Sequence, residues 1–402
     1  MSFLSAAERF AAIDHSEVVL DAQQCLHSHD QFSACEACFE ICPVDAIQPG
    51  KPPALDTDKC QDCLACLPVC PVGAYSADDA VQSLLTCATR LETKTVELIC
   101  ASHGSAEMGL SAESTGILLR GCLAGLGAGT YVALAAIGLE HIVLRVDACA
   151  NCPWVSLQDT IRSQVEQANQ FLSHWDKRDI LVCVSEINEQ MARPLWDAKN
   201  PPLSRRDLFR MAAKQGQIAM ARAMEQEYNG SKRRPGRDRL RLIHAVNHLP
   251  KPEKFLDIPM EDGNFTMLSV SSECNACAAC VKACPTESLK FHVDEEKTHY
   301  WLSFDPRTCI GCGLCAHVCA PKAIELEEAP TFAQIFSDTE PCTLSAGSVR
   351  QCVQCKTLFA TDSDQNVCPV CAYRKKNPFG AMMPPGINVA ATRSKGKNIH
   401  DS

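Results

Sequence analysis

The spacing of the cysteines constrains this chain more than any other feature. Twenty-seven of its 402 residues are Cys. An odd total cannot all pair as disulfides, and the chain is far longer than the small secreted scaffolds that need such staples. Most of the cysteines stand in clusters. The fullest reads Cys274-x2-Cys277-x2-Cys280-x3-Cys284-Pro285, then Cys309-x2-Cys312-x2-Cys315-x3-Cys319, with Pro321 two positions later. Thiolates at i, i+3 and i+6 on a tight loop converge on one centre, so metal ligation is the better reading.

Three thiolates at that spacing reach three corners of an iron-sulfur cube, while the fourth, after a longer step and a proline, points at the neighbouring cube. On that rule Cys274, Cys277, Cys280 and Cys319 hold one 4Fe-4S cluster, and Cys284, Cys309, Cys312 and Cys315 hold the other. The segment resembles the bacterial two-cluster ferredoxin family. Between the motifs, Leu289 to Val293 and His299 to Phe304 read as the antiparallel strands of that α+β fold. Two zinc ions in the same eight positions are the competing reading, but they would not call for a cross-shared fourth cysteine.

An earlier block repeats the pattern with one departure. Cys60-x2-Cys63-x2-Cys66-x3-Cys70-Pro71 is complete, whereas the upstream half reads Cys35-x2-Cys38-x3-Cys42-Pro43, with Phe32 where the first ligand should be. Cys25, ten residues before Cys35, is assigned that place. One cluster then takes Cys25, Cys35, Cys38 and Cys70, and the other takes Cys42, Cys60, Cys63 and Cys66. In the alternative, Cys25 is a bystander and the first cluster is three-iron or absent.

Between the two blocks, apolar β-type runs (Val96 to Cys100, Ile117 to Leu119, Ile142 to Val146, Ile180 to Val184) alternate with helical stretches, the pattern of a parallel α/β unit. Cys100, Cys122, Cys149 and Cys152 sit at the ends of these runs. In a parallel sheet the carboxyl ends share one edge, so four thiolates remote in sequence can meet there. The stretch Gly116 to Trp154 resembles the small iron-sulfur (delta) subunit of methyl-viologen-reducing hydrogenases, and that resemblance implies a 2Fe-2S cluster on these cysteines. It departs from that family in the spacing of the last pair and in Cys100 standing alone. The competing reading is four inert core cysteines. Gly125 to Gly129, GLGAG, lacks the final glycine of a dinucleotide loop, which favours a plain loop or close helix packing.

Cys352-x2-Cys355-x12-Cys368-Pro-x-Cys371 has the separation of a zinc ribbon, whose metal would fold a module with little core of its own. A rubredoxin-type iron competes. Cys87, Cys183 and Cys342 are left to ordinary packing. The expected fold class is therefore α+β and α/β multidomain. Ferredoxin-like domains over 1–90 and 263–335 flank a small parallel α/β domain (91–200). A helical and basic linker fills 201–262, a zinc-ribbon-like module 340–375, and a flexible tail 376–402. Within the linker, Ser204 to Glu227 opens on a capping-box-like start whose SRRDLF reads as a solvated helix beginning, and Lys232 to Arg241 reads as a basic loop.

Lys+Arg 38 against Asp+Glu 48 leaves a net charge of −10, which argues against a nucleic-acid footprint. Gly121 to Leu139 carries no charge, but its five glycines and a turn argue against a membrane span. The N-terminus has charges where a signal peptide needs an apolar core, so a reducing cytoplasm is expected. No HExxH, GxSxG or complete nucleotide loop is present. The reading is a polyferredoxin with no catalytic residues, four 4Fe-4S clusters, a 2Fe-2S cluster and Zn2+, exchanging electrons with a dehydrogenase, hydrogenase or reductase. The alternative is an accessory or maturation protein for a molybdenum enzyme such as formate dehydrogenase. A third option, a reductase subunit acting at the central domain, would need a cluster with an open coordination site.

Overall fold

A computed structural model describes residues 18–30, 33–175, 180–187, 191–202, 233–252, 260, 265–327, 330–337, 340–361 and 363–377. The chain forms two compact units, one of residues 1–263 with 331–336, the other of 264–330 with 337–402.

The centre of the first unit is a five-stranded sheet. Helix α1 (Val81–Arg90) leads into it, with Leu84, Leu85 and Cys87 fully buried. Strands β1 (Thr95–Cys100), β2 (Thr115–Leu119), β3 (His141–Arg145), β4 (Leu181–Val184) and β5 (Leu195–Asp197) lie in the order β5-β2-β1-β3-β4, every pair parallel. Their near-continuous aliphatic runs suit a sheet covered on both faces. The first four match the sequence-derived strands to within two residues. Strand β5 has only three residues and no apolar alternation, and its pairing with β2 is what defines it.

The uncharged stretch from Gly121 breaks into a short 3-10 turn, Leu123–Gly125, and helix α2 (Ala128–Ala136), buried along its length. Among the described residues no helix is long and apolar enough to cross a membrane. Helix α3 (Leu157–Leu172) buries one stripe, Leu157, Ile161, Val165, Ala168 and Leu172, as its apolar period requires. Phe332 and Phe336 return to pack on Phe171, and Phe332 stacks on His174 at 4.0 Å between ring centroids.

One expectation is corrected here. Much of the basic run is not a loop, because Arg237–His248 forms helix α4, packed on α2 with Leu242, Ala245 and Val246 buried. Its basic residues are spent on partners: Arg241, 4% exposed, pairs with Asp79 at 2.5 Å, and Arg237 donates to the Ala77 carbonyl. The glycines of GLGAG allow this approach, since a Cβ on Gly129 would lie 2.9 Å from the Leu242 nitrogen. The SRRDLF segment and the helix expected over Ser204 to Glu227 lie outside the described residues.

The cysteine-rich head of the first unit hangs on two small antiparallel pairs, Val19–Leu20 with Tyr75–Ser76 and Ile47–Gln48 with Ala54–Leu55. The second unit repeats both. Strand β6 (Met267–Val270) pairs with a strand at Ile324–Glu327, while β7 (Leu289–Val293) and β8 (His299–Phe304) form the hairpin. These two hairpin strands have the limits read from the sequence. Numbering that Ile324–Glu327 strand β9, the hairpin then gains β10 (Cys342–Gln351) on β8 and β11 (Leu358–Ala360) on β10. The C-terminal cysteine module is thus an extension of the ferredoxin-like sheet.

Candidate iron-sulfur and metal sites

Four times among the described residues a cysteine closes a loop with the same backbone device. Three residues after Cys42, Cys70, Cys284 and Cys319 stand Asp45, Gly73, Glu287 and Lys322, all at φ between 50° and 62°. The next residue, Ala46, Ala74, Ser288 or Ala323, is at most 2% exposed. In three of the four loops its backbone N–H donates to the cysteine Sγ, at 3.3 Å for Cys42, 3.2 Å for Cys70 and 3.3 Å for Cys319. Left-handed backbone at a non-glycine residue is costly and persists where the surroundings impose it. Here it turns an N–H onto sulfur, the bond that stabilises a thiolate and tunes a bound cluster.

Several of these cysteines lie close together. Cys274, Cys277, Cys280 and Cys319 line one small cavity, about 20 Å³, closed by Phe291, Tyr300 and Ile324. Burial, with the charge of Cys277, Cys274 and Cys319, pushes the Cys280 thiol up to about 12. Cys315 is likewise raised to about 12 by burial and by Cys309, Cys312 and Cys284. In the head, Cys66 is raised by burial and by Cys63, Cys60 and Cys42, and Cys70 is raised to about 11, chiefly by burial, with Cys35 adding to it. Metal-free thiols in such places stay protonated. A cationic core that offsets their mutual repulsion is what makes thiolates of them, so these donor sets fit iron-sulfur clusters.

Strand pairing brings the segment before Cys25 alongside the segment after Cys70. Leu20 is opposite Tyr75 and Val270 is opposite Ile324, and both partners lie five residues after their cysteines, Cys70 and Cys319. Cys25 follows Leu20 by five residues, and Cys274 follows Val270 by four, so the two cysteines leave equivalent strands within one residue of the same point. The departure in the motif is then extra sequence between Cys25 and Cys35. The short helix Leu26–His29 fills part of it, and His27 Nε2 bonds the Cys35 carbonyl at 2.9 Å. Burial raises the Cys25 thiol, and the charges of Cys35 and Cys38 add to this.

On the central sheet, Cys100, Cys122, Cys149 and Cys152 line a cavity of about 210 Å³ at the carboxyl edge of the strands. Burial holds Cys122 at about 12 and Cys149 at about 11. Cys183, at β4, is close enough to add to the Cys149 shift. Behind the cavity lies a buried charge network with no signal in the sequence. Arg145, fully buried, bonds Glu97 Oε2 at 3.0 Å and grips Asp147; Arg193 approaches the same Glu97 oxygen at 3.3 Å; His103 Nε2 lies 3.0 Å from Asp147 Oδ2. Asp147 and His103 flank Cys149 and Cys100, so the network braces both cysteine loops.

GLGAG does not offer an anion site. Asp238, from α4, accepts from the Gly129 N–H at 2.8 Å, the Thr130 N–H at 3.0 Å and the Thr130 hydroxyl at 3.1 Å, filling the N-terminus of α2 with the chain's own carboxylate.

Cys352, Cys355, Cys368 and Cys371 place their sulfurs within 4.8 Å of one another, with Cys355 and Cys368 3.7 Å apart. Tetrahedral Zn–S bonds of ~2.3 Å require sulfur separations of roughly 3.8 Å. The Cys368 N–H donates to Cys352 Sγ at 3.3 Å, and such backbone donors bring that thiol down to about 6. Cys87 is simply buried, and Cys342 Sγ donates to the Phe304 carbonyl at 3.4 Å.

Comparison with known proteins agrees with this geometry where it reaches. Residues 273–323 match the 4Fe-4S dicluster domain, and residues 53–76 match the 4Fe-4S binding domain. Over 50 residues, 12% of this chain, the sequence is 36% identical to the NADH-dependent phenylglyoxylate dehydrogenase subunit delta of Aromatoleum evansii. The match spans about half, 47%, of that relative's length. In these two segments, one in each compact unit, the chain belongs with the ferredoxin-type 4Fe-4S domains.

Proposed function

We propose that the protein is a polyferredoxin, relaying single electrons between redox enzymes through four 4Fe-4S clusters and a 2Fe-2S centre. The observation that carries this reading is the fourfold loop device, left-handed residue followed by a buried residue behind the sulfur, repeated at Cys42, Cys70, Cys284 and Cys319. When bound, each cluster supplies one-electron chemistry. The chain's own residues hold it, shield it with apolar side chains and aim N–H groups at sulfur. Cys25, Cys35, Cys38 and Cys70 form one ligand set, and Cys42, Cys60, Cys63 and Cys66 the next. The second unit supplies Cys274, Cys277, Cys280 and Cys319, and Cys284, Cys309, Cys312 and Cys315. The central set, Cys100, Cys122, Cys149 and Cys152, takes the 2Fe-2S centre, and Cys352, Cys355, Cys368 and Cys371 take Zn2+.

Partners on this reading are a dehydrogenase, hydrogenase or reductase in a reducing cytoplasm. The similarity to a dehydrogenase subunit supports that class. A net charge of −10 favours docking to a basic face. Anaerobic purification with metal and sulfide analysis tests the proposal. About 16 irons per chain are expected for four cubes, with two more from the centre on the sheet and one zinc. Colourless protein free of acid-labile sulfide overturns it.

The ribbon supports a second reading, an accessory protein for a molybdenum enzyme such as formate dehydrogenase, because a simple carrier has no need of a four-sulfur zinc module. Redox-silent clusters together with binding of an apo-enzyme would select it.

A further inference from the structure

Two of the candidate centres share a wall. The loop between head ligands Cys60 and Cys63 contributes Gln61 and Asp62 to the lining of the central cavity that Cys100, Cys122, Cys149 and Cys152 define. Trp154, two residues beyond Cys152, donates its indole N–H to Gln61 Oε1 at 3.0 Å. Leu64, the neighbour of Cys63, presses on the backbone beside Cys122: a Cβ on Gly121 would meet its Cδ1 at 3.4 Å, and one on Gly125 would meet its Cβ at 2.9 Å. Glycine at 125 therefore keeps the cysteine loop of the sheet and that of the head in direct contact. Helix α4 fixes the same arrangement from behind, since the Gly236 N–H donates to the Pro71 carbonyl at 2.8 Å while Asp238 caps α2.

We infer that electrons cross between the head and the central sheet at the Cys63–Cys122 junction, so that the cube held by Cys42, Cys60, Cys63 and Cys66 is the redox partner of the centre on the sheet. The inference rests on the reading that both cysteine sets hold clusters. One electron leaves the reduced cube, which returns to its oxidised level, and reduces the oxidised two-iron centre; no bond or proton moves. An external reductant such as dithionite supplies that electron to the head.

The test is EPR on the anaerobic holoprotein during stepwise reduction with dithionite. Broadening and faster relaxation of the two-iron signal are expected once the head cube is reduced as well. In Cys122→Ser the two-iron signal is lost and its broadening with it, whereas Cys183→Ser, at the neighbouring cysteine, retains both. Full iron content with two isolated, unbroadened signals overturns the inference alone. Iron at the four-cube level without a two-iron signal overturns the reading beneath it as well. A second measurement needs no variant: freeze-quenched samples mixed with substoichiometric dithionite should show the electron shared between the two signals at the earliest times, and independent rates of appearance overturn the junction.

Discussion

Arg145 grips Asp147 with two guanidinium nitrogens, Nε to Oδ1 at 2.8 Å and Nη2 to Oδ2 at 3.0 Å. The same side chain reaches Glu97 on β1, so one buried cation ties the strand before Cys100 to the turn before Cys149. Arg145→Met leaves buried Glu97 with Arg193 as its remaining cation and half-buried Asp147 with His103 alone, and a loss of up to about 3–5 kcal/mol in unfolding free energy is expected. Arg145→Lys should rescue little, because a point charge cannot reproduce the fork. Denaturant titration of both variants measures this, and wild-type stability in either would remove the network's role.

His174 gives a pH dependence. Burial brings its pKa down to about 4, and the ring stacks on Phe332. A base whose folded value is depressed contributes stability that is whole above its unfolded value of ~6.5 and is lost as pH falls towards the folded one. Between pH 7 and pH 5 the first unit should therefore weaken, by up to about 1.4 kcal/mol per unit below 6.5. Thermal midpoints of wild type and His174→Phe at the two pH values compare it; an equal pH response in both would exclude His174.

Tyr75 is 3% exposed, and its hydroxyl has no partner at full hydrogen-bond geometry among the described residues. The sulfur it approaches is that of Cys38, whose thiolate it favours. In the second unit the corresponding residue is Ile324. A hydroxyl donating to cluster sulfur stabilises the more negative, reduced state, so Tyr75→Phe should lower one head potential and leave the remaining clusters unmoved. An EPR-monitored redox titration reads this directly, and an unchanged set of potentials would count against it.

Asp238 caps α2 from another helix. Asp238→Ala removes three acceptor contacts at that helix start and should cost about 0.5–2 kcal/mol, the usual range for a lost cap. Equilibrium unfolding of the variant is the measurement, with an unaltered midpoint as the contrary result.

The ferredoxin-type sites were legible in the sequence because their chemistry is local. Cys309, Cys312 and Cys315 lie within one loop, and the thiolates of such a loop converge whatever surrounds them. The strands Leu289–Val293 and His299–Phe304 were legible through their apolar and aromatic runs between turn signals. Strand β5 was not, since three residues carry no period, and neither was the role of α4, whose basic residues read as solvated until Asp79 and Asp238 came beside Arg241 and α2.

By itself, the sequence determined which cysteines share a loop in the closely spaced motifs, through a spacing that the backbone must turn into a tight bend. Tertiary structure alone decided that the strand before Cys25 pairs beside Cys70, that four strand-end cysteines share one cavity with Gln61, and that a carboxylate closes GLGAG. Those outcomes depend on strand register and helix packing between segments as much as 109 residues apart, and no local pattern encodes which remote partner a strand or helix will meet.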